Sequence, residues 1–541
     1  VWQMRVLVSA GLLAVAAFFG FLLLGAKIGE PWLYWPVVVV FGFFSLLSLY
    51  EWFCYLGVKP KKFNPRSKRN WSVDVLTTWC PGEPKDMVVA TLKSIQRMPY
   101  PHSTFLCDEG DDPALREVCA RLGVHHITRE KKVGAKAGNI NNALRSASGD
   151  IVVIMDPDHE TAPYFLDRIV GFFDNEKVGF VQHVQAYYNQ EESLVALGAA
   201  QQTYHFYGPS QTGMDGHGTT QAIGANCAFR RAALDSIGGH ATGLAEDMAT
   251  TLKIYAQNWT SVFSPEILTR GQVPATYSGY CKQQLKWACG VWDILFESFP
   301  NAFFKISWQN RLHYIMNGLF YCRGLFFLVG ALIPVVSLFT GFVPLEITIK
   351  EFLLWFGPLF AAQILIRQSA QRWLLEPEER GLHLVGGFLM NSVWLIHLRG
   401  VLSSVLRVKI PYIPTPKDDA ATNAWSLALP NILLVLVSTV AIVYGLSWDW
   451  SPYAGIMAAF ALTNIISLGT ISLAAQQKLS ASLGLKQVTN MFRLDVLEHG
   501  LRACALGLCW ALRRQTLFYA LVVVGLVAAW SGTETPRAHY D

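Results

Sequence analysis

The sequence predicts an α/β domain with a largely parallel sheet, inserted between the spans of an α-helical polytopic membrane domain. Three observations predict it. Long apolar runs lie on both sides of a segment of mixed composition from about 71 to 290, and within that segment short apolar strands alternate with polar helical stretches. Only 15% of the 541 residues are charged while 52% are hydrophobic and 13% aromatic, which a wholly soluble protein of this length would not show. The net charge of +5 sits largely beside the apolar runs, so it marks topology and not a nucleic-acid surface. The ten cysteines are scattered without a Cys-x-x-Cys pair, which argues against a zinc site or a disulfide framework and suits a reducing cytosol.

Two apolar runs, Val6 to Leu24 and Leu33 to Leu49, are each long enough to span a bilayer. The first is too long for the apolar core of a signal peptide. Next come Lys59, Lys61, Lys62, Arg66, Lys68 and Arg69 with no acid among them. A basic cluster this close to a span marks the cytoplasmic side, and it can also meet anionic lipid. The following domain is therefore expected in the cytosol.

In that domain strands are expected at Val73 to Thr77, Ser103 to Cys107 and Val124 to Ile127, and helices at Pro84 to Met98, Pro113 to Leu122 and Gly138 to Ala147. The next strand, Ile151 to Ile154, runs through Met155 into Asp156-Pro157-Asp158-His159-Glu160. Ligands of open α/β sheets bind at that end of a strand. Two carboxylates there repel each other and lose solvation, a cost usually tolerated when a cation sits between them. Oxygen donors beside a diphosphate favour Mg2+ or Mn2+, and Asp156 and Asp158 are the candidates. The alternative is a solvated Asp-Pro-Asp turn.

The second strand ends in Cys107-Asp108-Glu109-Gly110-Asp111-Asp112, again with carboxylates at its carboxyl end. Gly134-Ala135-Lys136-Ala137-Gly138-Asn139 leads into a helix, where small residues admit a ligand close to the backbone and Lys136 offers a point charge to phosphate. Ordinary turn duty also explains those glycines. After the small-residue run Gly224 to Arg231, Glu246 and Asp247 precede a helical pattern from Met248 to Ala256. They can cap that helix or supply a base. Gln283, Lys286 and Trp287 share one helical face, where an amide, a cation and an indole suit a diphosphate and a sugar ring.

Beyond Gly290 the chain returns to the membrane. An interfacial helix is expected over Trp292 to Phe304, then spans at about Met316 to Leu338 and Phe352 to Ile366, the first carrying Arg323 as a candidate to line a pathway. Leu382 to Leu406, interrupted by His397 and Arg399, reads as an interfacial helix more than a full span. A proline-stiffened basic loop, Arg407 to Asp419, precedes spans at about Leu427 to Tyr444 and Ala454 to Ala474, an amphipathic stretch from Ser480 to Trp510 and a short apolar run from Leu517 to Trp530. The count is six or seven spans. The expected division is 1–57 for two spans, 58–70 basic, 71–290 cytosolic, 291–311 interfacial, 312–406 membrane helices, 407–424 loop and 425–541 membrane helices.

Together, Asp108, Asp156-x-Asp158, Glu246-Asp247 and Gln283-x-x-Lys286-Trp287 resemble the D, DxD, TED, QxxRW series of processive family 2 glycosyltransferases. The thirty-five residues between Asp247 and Gln283 are also what that family shows. Gly-Ala-Lys-Ala-Gly-Asn and the Pro-Tyr-Ile-Pro-Thr-Pro-Lys loop resemble the bacterial cellulose synthase catalytic subunit, the latter its FxVTxK gating loop. The resemblance covers roughly Asp74 to Lys417.

It implies a GT-A domain, a Rossmann-like mixed sheet, below a membrane channel, with UDP-glucose and a divalent cation, Mg2+ or Mn2+, used to lengthen a β-glucan and move it across the bilayer. It implies Thr77, Trp79, Asp108, Lys136 and Asp156 as donor contacts, Asp158 as metal ligand and Asp247 as the general base with Glu246 beside it. It further implies Gln283 and Lys286 on the diphosphate, Trp287 under the acceptor glucose, and Thr415 and Lys417 closing over the nucleotide. The expected place is the bacterial inner membrane, with the glucan polymer, the lipid bilayer and accessory periplasmic or membrane subunits as partners and no nucleic acid.

Lys286 replaces the family's Arg, Ala245 its Thr, and the gate has Tyr-Ile-Pro for Phe-x-Val. The last apolar run ends about eleven residues before the end of the sequence, which leaves no room for a cyclic-di-GMP-binding PilZ domain. On these departures the expectation is a (1,3)-β-glucan such as curdlan, ahead of cellulose, a (1,4)-β-glucan, or a mixed-linkage glucan. Chitin, hyaluronan and poly-N-acetylglucosamine synthases, and a non-enzymatic transporter with a degenerate nucleotide domain, are the remaining readings.

Overall fold

The computed structural model describes residues 2–59, 67–408, 410 and 422–482. Seven strands form one sheet in the order β3-β2-β1-β4-β7-β6-β8. They are β1 (Val73–Trp79), β2 (Ser103–Asp108), β3 (His125–Ile127), β4 (Ile151–Met155), β6 (Val178–His183), β7 (Cys227–Arg230) and β8 (Thr260–Ser264). A two-stranded pair, β5 (Glu160–Thr161) with β9 (Thr269–Arg270), stands apart. β1 pairs in parallel with β2 and β4, but β7 runs antiparallel between β4 and β6, so the sheet is mixed.

The sheet is buried on both faces, as a strand arrangement covered by helices requires. Val75, Ile151, Val153 and Met155 point to one cluster, with Phe165 and Phe173, while Leu76, Val152 and Ile154 point to the other, with Ile140, Leu252 and Ile254. This alternation is the period of two along each strand. Its consequence for the site lies at one edge. β1, β2 and β4 end together, with Trp79 opposite Asp108 and Thr77 opposite Met155. Because β7 runs the other way, its first residue, Cys227, lies opposite Ile154, and the 224–226 loop arrives at that same edge.

Two helix starts differ from the sequence reading. The helix expected from Gly138 begins at Ala135, because Gly134 takes a left-handed conformation at its N-cap (φ 79°) and turns the chain early. Lys136 therefore lies in the first turn. The helix carrying Gln283 runs from Tyr277 to Glu297, straight through residue 290, and only short turns, Phe299–Ala302 and Phe303–Lys305, separate it from the next long helix.

Six described helices are long and apolar enough to cross a membrane: Trp2–Gly25, Pro31–Leu56, Trp308–Thr340, Ile349–Trp373, Trp425–Trp448 and Pro452–Ala474. Leu384–Ser392 and Trp394–Val405 form a pair bent by 48°, where the sequence reading expected one interfacial helix. The bend has a local cause. It frees the Ser392 carbonyl, which accepts from Tyr277 Oη (3.0 Å) and Asn431 Nδ2 (2.8 Å). His397 Nε2 meets Gln284 Oε1 (3.0 Å) of the Tyr277–Glu297 helix, and the Arg323 guanidinium stacks 5.0 Å from the Phe320 ring centre. The amphipathic stretch from Ser480 and the run from Leu517 lie largely or wholly outside the described residues.

Candidate active site

β4 delivers Asp156 and Asp158 to the carboxyl edge of the sheet, as its sequence predicts. Asp158 is buried, and its Oδ2 accepts from the Gln272 backbone amide (3.1 Å), just past β9. Asp156 is more open and pairs with the Lys136 ammonium, which also donates to the Gly224 carbonyl (2.8 Å). The donor atoms of Asp156, Asp158 and His159 all lie within 4.8 Å of one another. Two carboxylates and an imidazole are a donor set that fits a divalent cation such as Mn2+ or Mg2+.

Glu246 and Asp247 open the helix Glu246–Ala256. Ala245 gives no side-chain cap, and Asp247 Oδ1 accepts from the Met248 amide (2.8 Å). Burial, and then the charge of Glu246, push the Asp247 carboxyl up to about 7, although the Met248 amide, Lys136 and Lys286 oppose the shift. Asp247 Oδ2 lies 3.2 Å from where a Cβ on Gly224 would stand. Gly224 thus touches the Asp247 carboxyl on one side and the Lys136 ammonium on the other.

From the facing helix, Lys286 is brought into the same charged group. Burial lowers its ammonium, with Glu246, Asp156 and Asp247 pulling the other way. Trp287 packs against the cluster of Ala245, Met248 and Tyr321, and Gln283 is partly exposed on that helix. The contact between this helix and the base helix is close. A Cβ at Gly290 would stand 2.7 Å from that of Ala245.

The proposed uridine end is arranged differently from the sequence reading. The Trp79 side chain is 4% exposed, packed with Val88, Leu92 and Leu115, and its indole N–H donates to the Glu83 carbonyl (3.0 Å). It belongs to the core and offers a ligand only its backbone. The Asp108 carboxylate accepts from the amides of Gly110 (2.7 Å), Asp111 (3.0 Å) and Asp112 (2.7 Å) and pairs with His126 (2.9 Å). Those bonds make it the organiser of its own turn. Thr77 Oγ1 is buried without a hydrogen-bond partner among the described residues. Thr415 and Lys417 lie outside the described residues.

Three residues at this edge escaped the sequence reading as functional groups. His159 was visible beside Asp158 but unassigned. Gln182, in β6, donates to Ala225 O (3.1 Å) and Asn226 Oδ1 (2.9 Å) and accepts from the Ile223 amide (3.0 Å), so it shapes the loop that carries Gly224. Tyr207 sits in a single widened turn, Phe206–Ser210, and its phenol is raised by burial and then by the charges of Asp247 and Asp156. Such widened turns often mark functional sites.

Residues 151–366 match the protein family described as glycosyl transferase family group 2. The chain is 31% identical over 325 residues to the cellulose synthase catalytic subunit [UDP-forming] of Xanthomonas axonopodis pv. citri (strain 306), covering 58% of this chain and 42% of that protein. It is 27% identical over 338 residues to the corresponding subunit of Pseudomonas fluorescens (strain SBW25), covering 60% and 44%. The chain is similar to family 2 glycosyltransferases of cellulose synthase type.

The chain spans less than half the length of these curated relatives. Its fold resembles that of the mannosyltransferase PcManGT from Pyrobaculum calidifontis in complex with GDP-Man and Mn2+, with a TM-score of 0.50 at 16% identity over 70% of this chain and 100% of that one. The GT-A expectation therefore holds. With six long apolar helices among the described residues around that domain, the chain is a multi-pass membrane protein. The preference for a (1,3)-linked product is not shown by these relatives. They are named cellulose synthases, and the (1,4)-linked reading fits them better.

Proposed function

We propose that this glycosyltransferase is a processive β-glucan synthase that transfers glucose from UDP-glucose, with inversion, to a growing (1,4)-linked chain and passes the polymer across the bacterial inner membrane. The observation that carries the reading is the chain Asp247, Gly224, Lys136, Asp156, which sets a carboxyl of raised pKa and a cation site on two sides of one part-buried lysine. The named relatives support the donor and the linkage.

Asp247 takes the proton from the acceptor hydroxyl as its oxygen bonds to C1 of the glucose. The bond from C1 to the β-phosphate oxygen breaks, and its electron pair leaves with UDP. Lys136 and Lys286 face the negative charge that develops there, and burial strengthens both interactions. Asp156, Asp158 and His159 would hold Mg2+ or Mn2+, which when bound neutralises diphosphate charge. Trp287 gives the acceptor ring a flat apolar contact that leaves its hydroxyls free. Thr77 and the turn around Asp108 border the uridine position, Gln283 adds an amide on the diphosphate side, and Thr415 and Lys417 close over the nucleotide. Accessory subunits would receive the polymer beyond the membrane.

Linkage analysis of polymer made by the purified full chain from UDP-glucose and a divalent cation tests the reading. A (1,4)-linked product is expected. Exclusively (1,3) bonds would return the assignment to a curdlan synthase, and no metal-dependent UDP release would remove the enzymatic reading.

A further inference from the structure

His159 is 2% exposed, and both its ring nitrogens have a partner. Nδ1 lies 3.1 Å from Asp158 Oδ1, and Nε2 lies 2.7 Å from the Gln185 amide nitrogen. The ring cannot drift, because it rests against the backbone of Gly271, where a Cβ would stand 2.3 Å from Cε1. With the amide nitrogen toward the ring, Gln185 donates to Nε2, the imidazole proton is on Nδ1, and that proton goes to Asp158. This arrangement leaves Gln185 Oε1 buried with no hydrogen-bond partner among the described residues.

A half-turn of the amide exchanges its two nearly isosteric ends. Oε1 then accepts from Nε2–H, the amide nitrogen takes the place the oxygen had, and the proton moves from Nδ1 to Nε2. The Nδ1 lone pair now faces Asp158 Oδ1, and two acceptors at that separation are held together only by a cation between them. Asp156, Asp158 and His159 already offer three donor atoms within reach of one ion. Histidines that ligate metals almost always donate their other ring N–H to an oxygen, which fixes the tautomer.

We propose that Gln185 is a positioning residue for the cation site: its amide oxygen holds the proton on His159 Nε2 and so presents Nδ1 to the divalent cation shared with Asp156 and Asp158. The two orientations of one amide correspond to the metal-free and metal-bound states. The inference rests on the metal-dependent transferase reading above and adds to it the residue that prepares the nitrogen ligand.

The test uses the full chain in detergent with Mn2+ and UDP, read by electron spin-echo modulation from 14N and by Mn2+ affinity. The native protein is expected to show a directly bound nitrogen that His159→Asn abolishes. Gln185→Met, which cannot accept from Nε2–H, should lose that coupling and bind Mn2+ roughly tenfold more weakly or worse. Gln185→Glu should retain the coupling, and it decides the matter should Gln185→Met fail to fold: a folded Gln185→Glu without nitrogen coupling overturns the proposal. Mn2+ bound without any nitrogen coupling, a coupling that survives His159→Asn, or an unchanged affinity and coupling in Gln185→Met also overturns it, while leaving the transferase reading intact. Mn2+ that fails to bind with UDP overturns both.

Discussion

The Lys136 ammonium pairs with the Asp156 carboxylate and donates to the Gly224 carbonyl 2.8 Å away, so one part-buried cation ties the end of β4 to the loop that touches Asp247. A charge in that place serves twice. It offsets Asp156 and, in the proposed reaction, would face the diphosphate as it leaves. Lys136→Met is therefore expected to lower initial rates of UDP release by about 10²-fold, the size of effect seen when one preorganised donor to a developing anion is removed. Lys136→Arg should recover part of the rate. A change in melting temperature with unchanged turnover would assign the lysine a purely structural role.

Asp247 couples activity and stability to pH in opposite directions. Its carboxyl is raised to about 7 by burial and by Glu246, so the folded protein holds a proton that an unfolded chain gives up near pH 4. Between those values the folded state binds more protons, and its stability falls as pH rises. A base must be ionised to act, so kcat/KM should climb with pH through about 7. Asp247→Asn should lose at least about 10³-fold in rate, judged against the 10²–10⁴-fold typical of a base. It should also melt higher than the native protein at pH 8 and gain little or nothing at pH 4. Thermal melts across pH, run beside UDP-release assays, check both halves.

The strand ends were legible because their signals are local: apolar runs of strand length, β-branched at β4, followed at once by carboxylates. The face shared by Gln283, Lys286 and Trp287 was legible for the same reason, through helical spacing. The rest depended on partners distant in sequence. No local pattern tells that Cys227–Arg230 inserts antiparallel between β4 and β6, since direction is set by which strands it meets. Asp108 looked like a free ligand because the sequence does not show three following amides folding back onto it. Trp79 looked like a donor contact because the sequence does not show Val88, Leu92 and Leu115 closing around it. Gln182 and Gln185 escaped because a glutamine in or just past a short strand carries no periodic signal.

The bent pair of helices predicts a stability defect away from the chemistry. Asn431 Nδ2 donates to Ser392 O (2.8 Å) and Tyr277 Oη (3.1 Å), while its Oδ1 accepts from the Trp394 indole (3.0 Å). Asn431→Leu leaves that indole and part of the freed carbonyl without partners in a buried place. A loss of about 1–3 kcal/mol is expected, the cost of stranding a buried polar group. Thermal unfolding in detergent would show it, and Tyr277→Phe should cost less because Asn431 still reaches the carbonyl.

The α/β domain is seated directly on the end of the second span. The helix Gln211–His217 packs against the end of the second span, where a Cβ at Gly213 would stand 1.8 Å from Cys54 O and one at Gly216 1.7 Å from Gly57 O. Both obstacles are backbone, so neither can rotate aside. The seat is also polar. His217 Nε2 meets Phe53 O (3.0 Å) with its ring stacked on Phe53, and Lys59 donates to Gly216 O (2.7 Å). Gly213→Ala and Gly216→Ala must push the domain off the span, so each is expected to lower the yield of folded protein and to melt earlier by several degrees, as overpacking of about 1–3 kcal/mol would produce. Gly357→Ala is the matched control, since a Cβ there meets nothing within 4 Å and the backbone is already helical. Equal melting of all three variants would show that the close seat carries no stability.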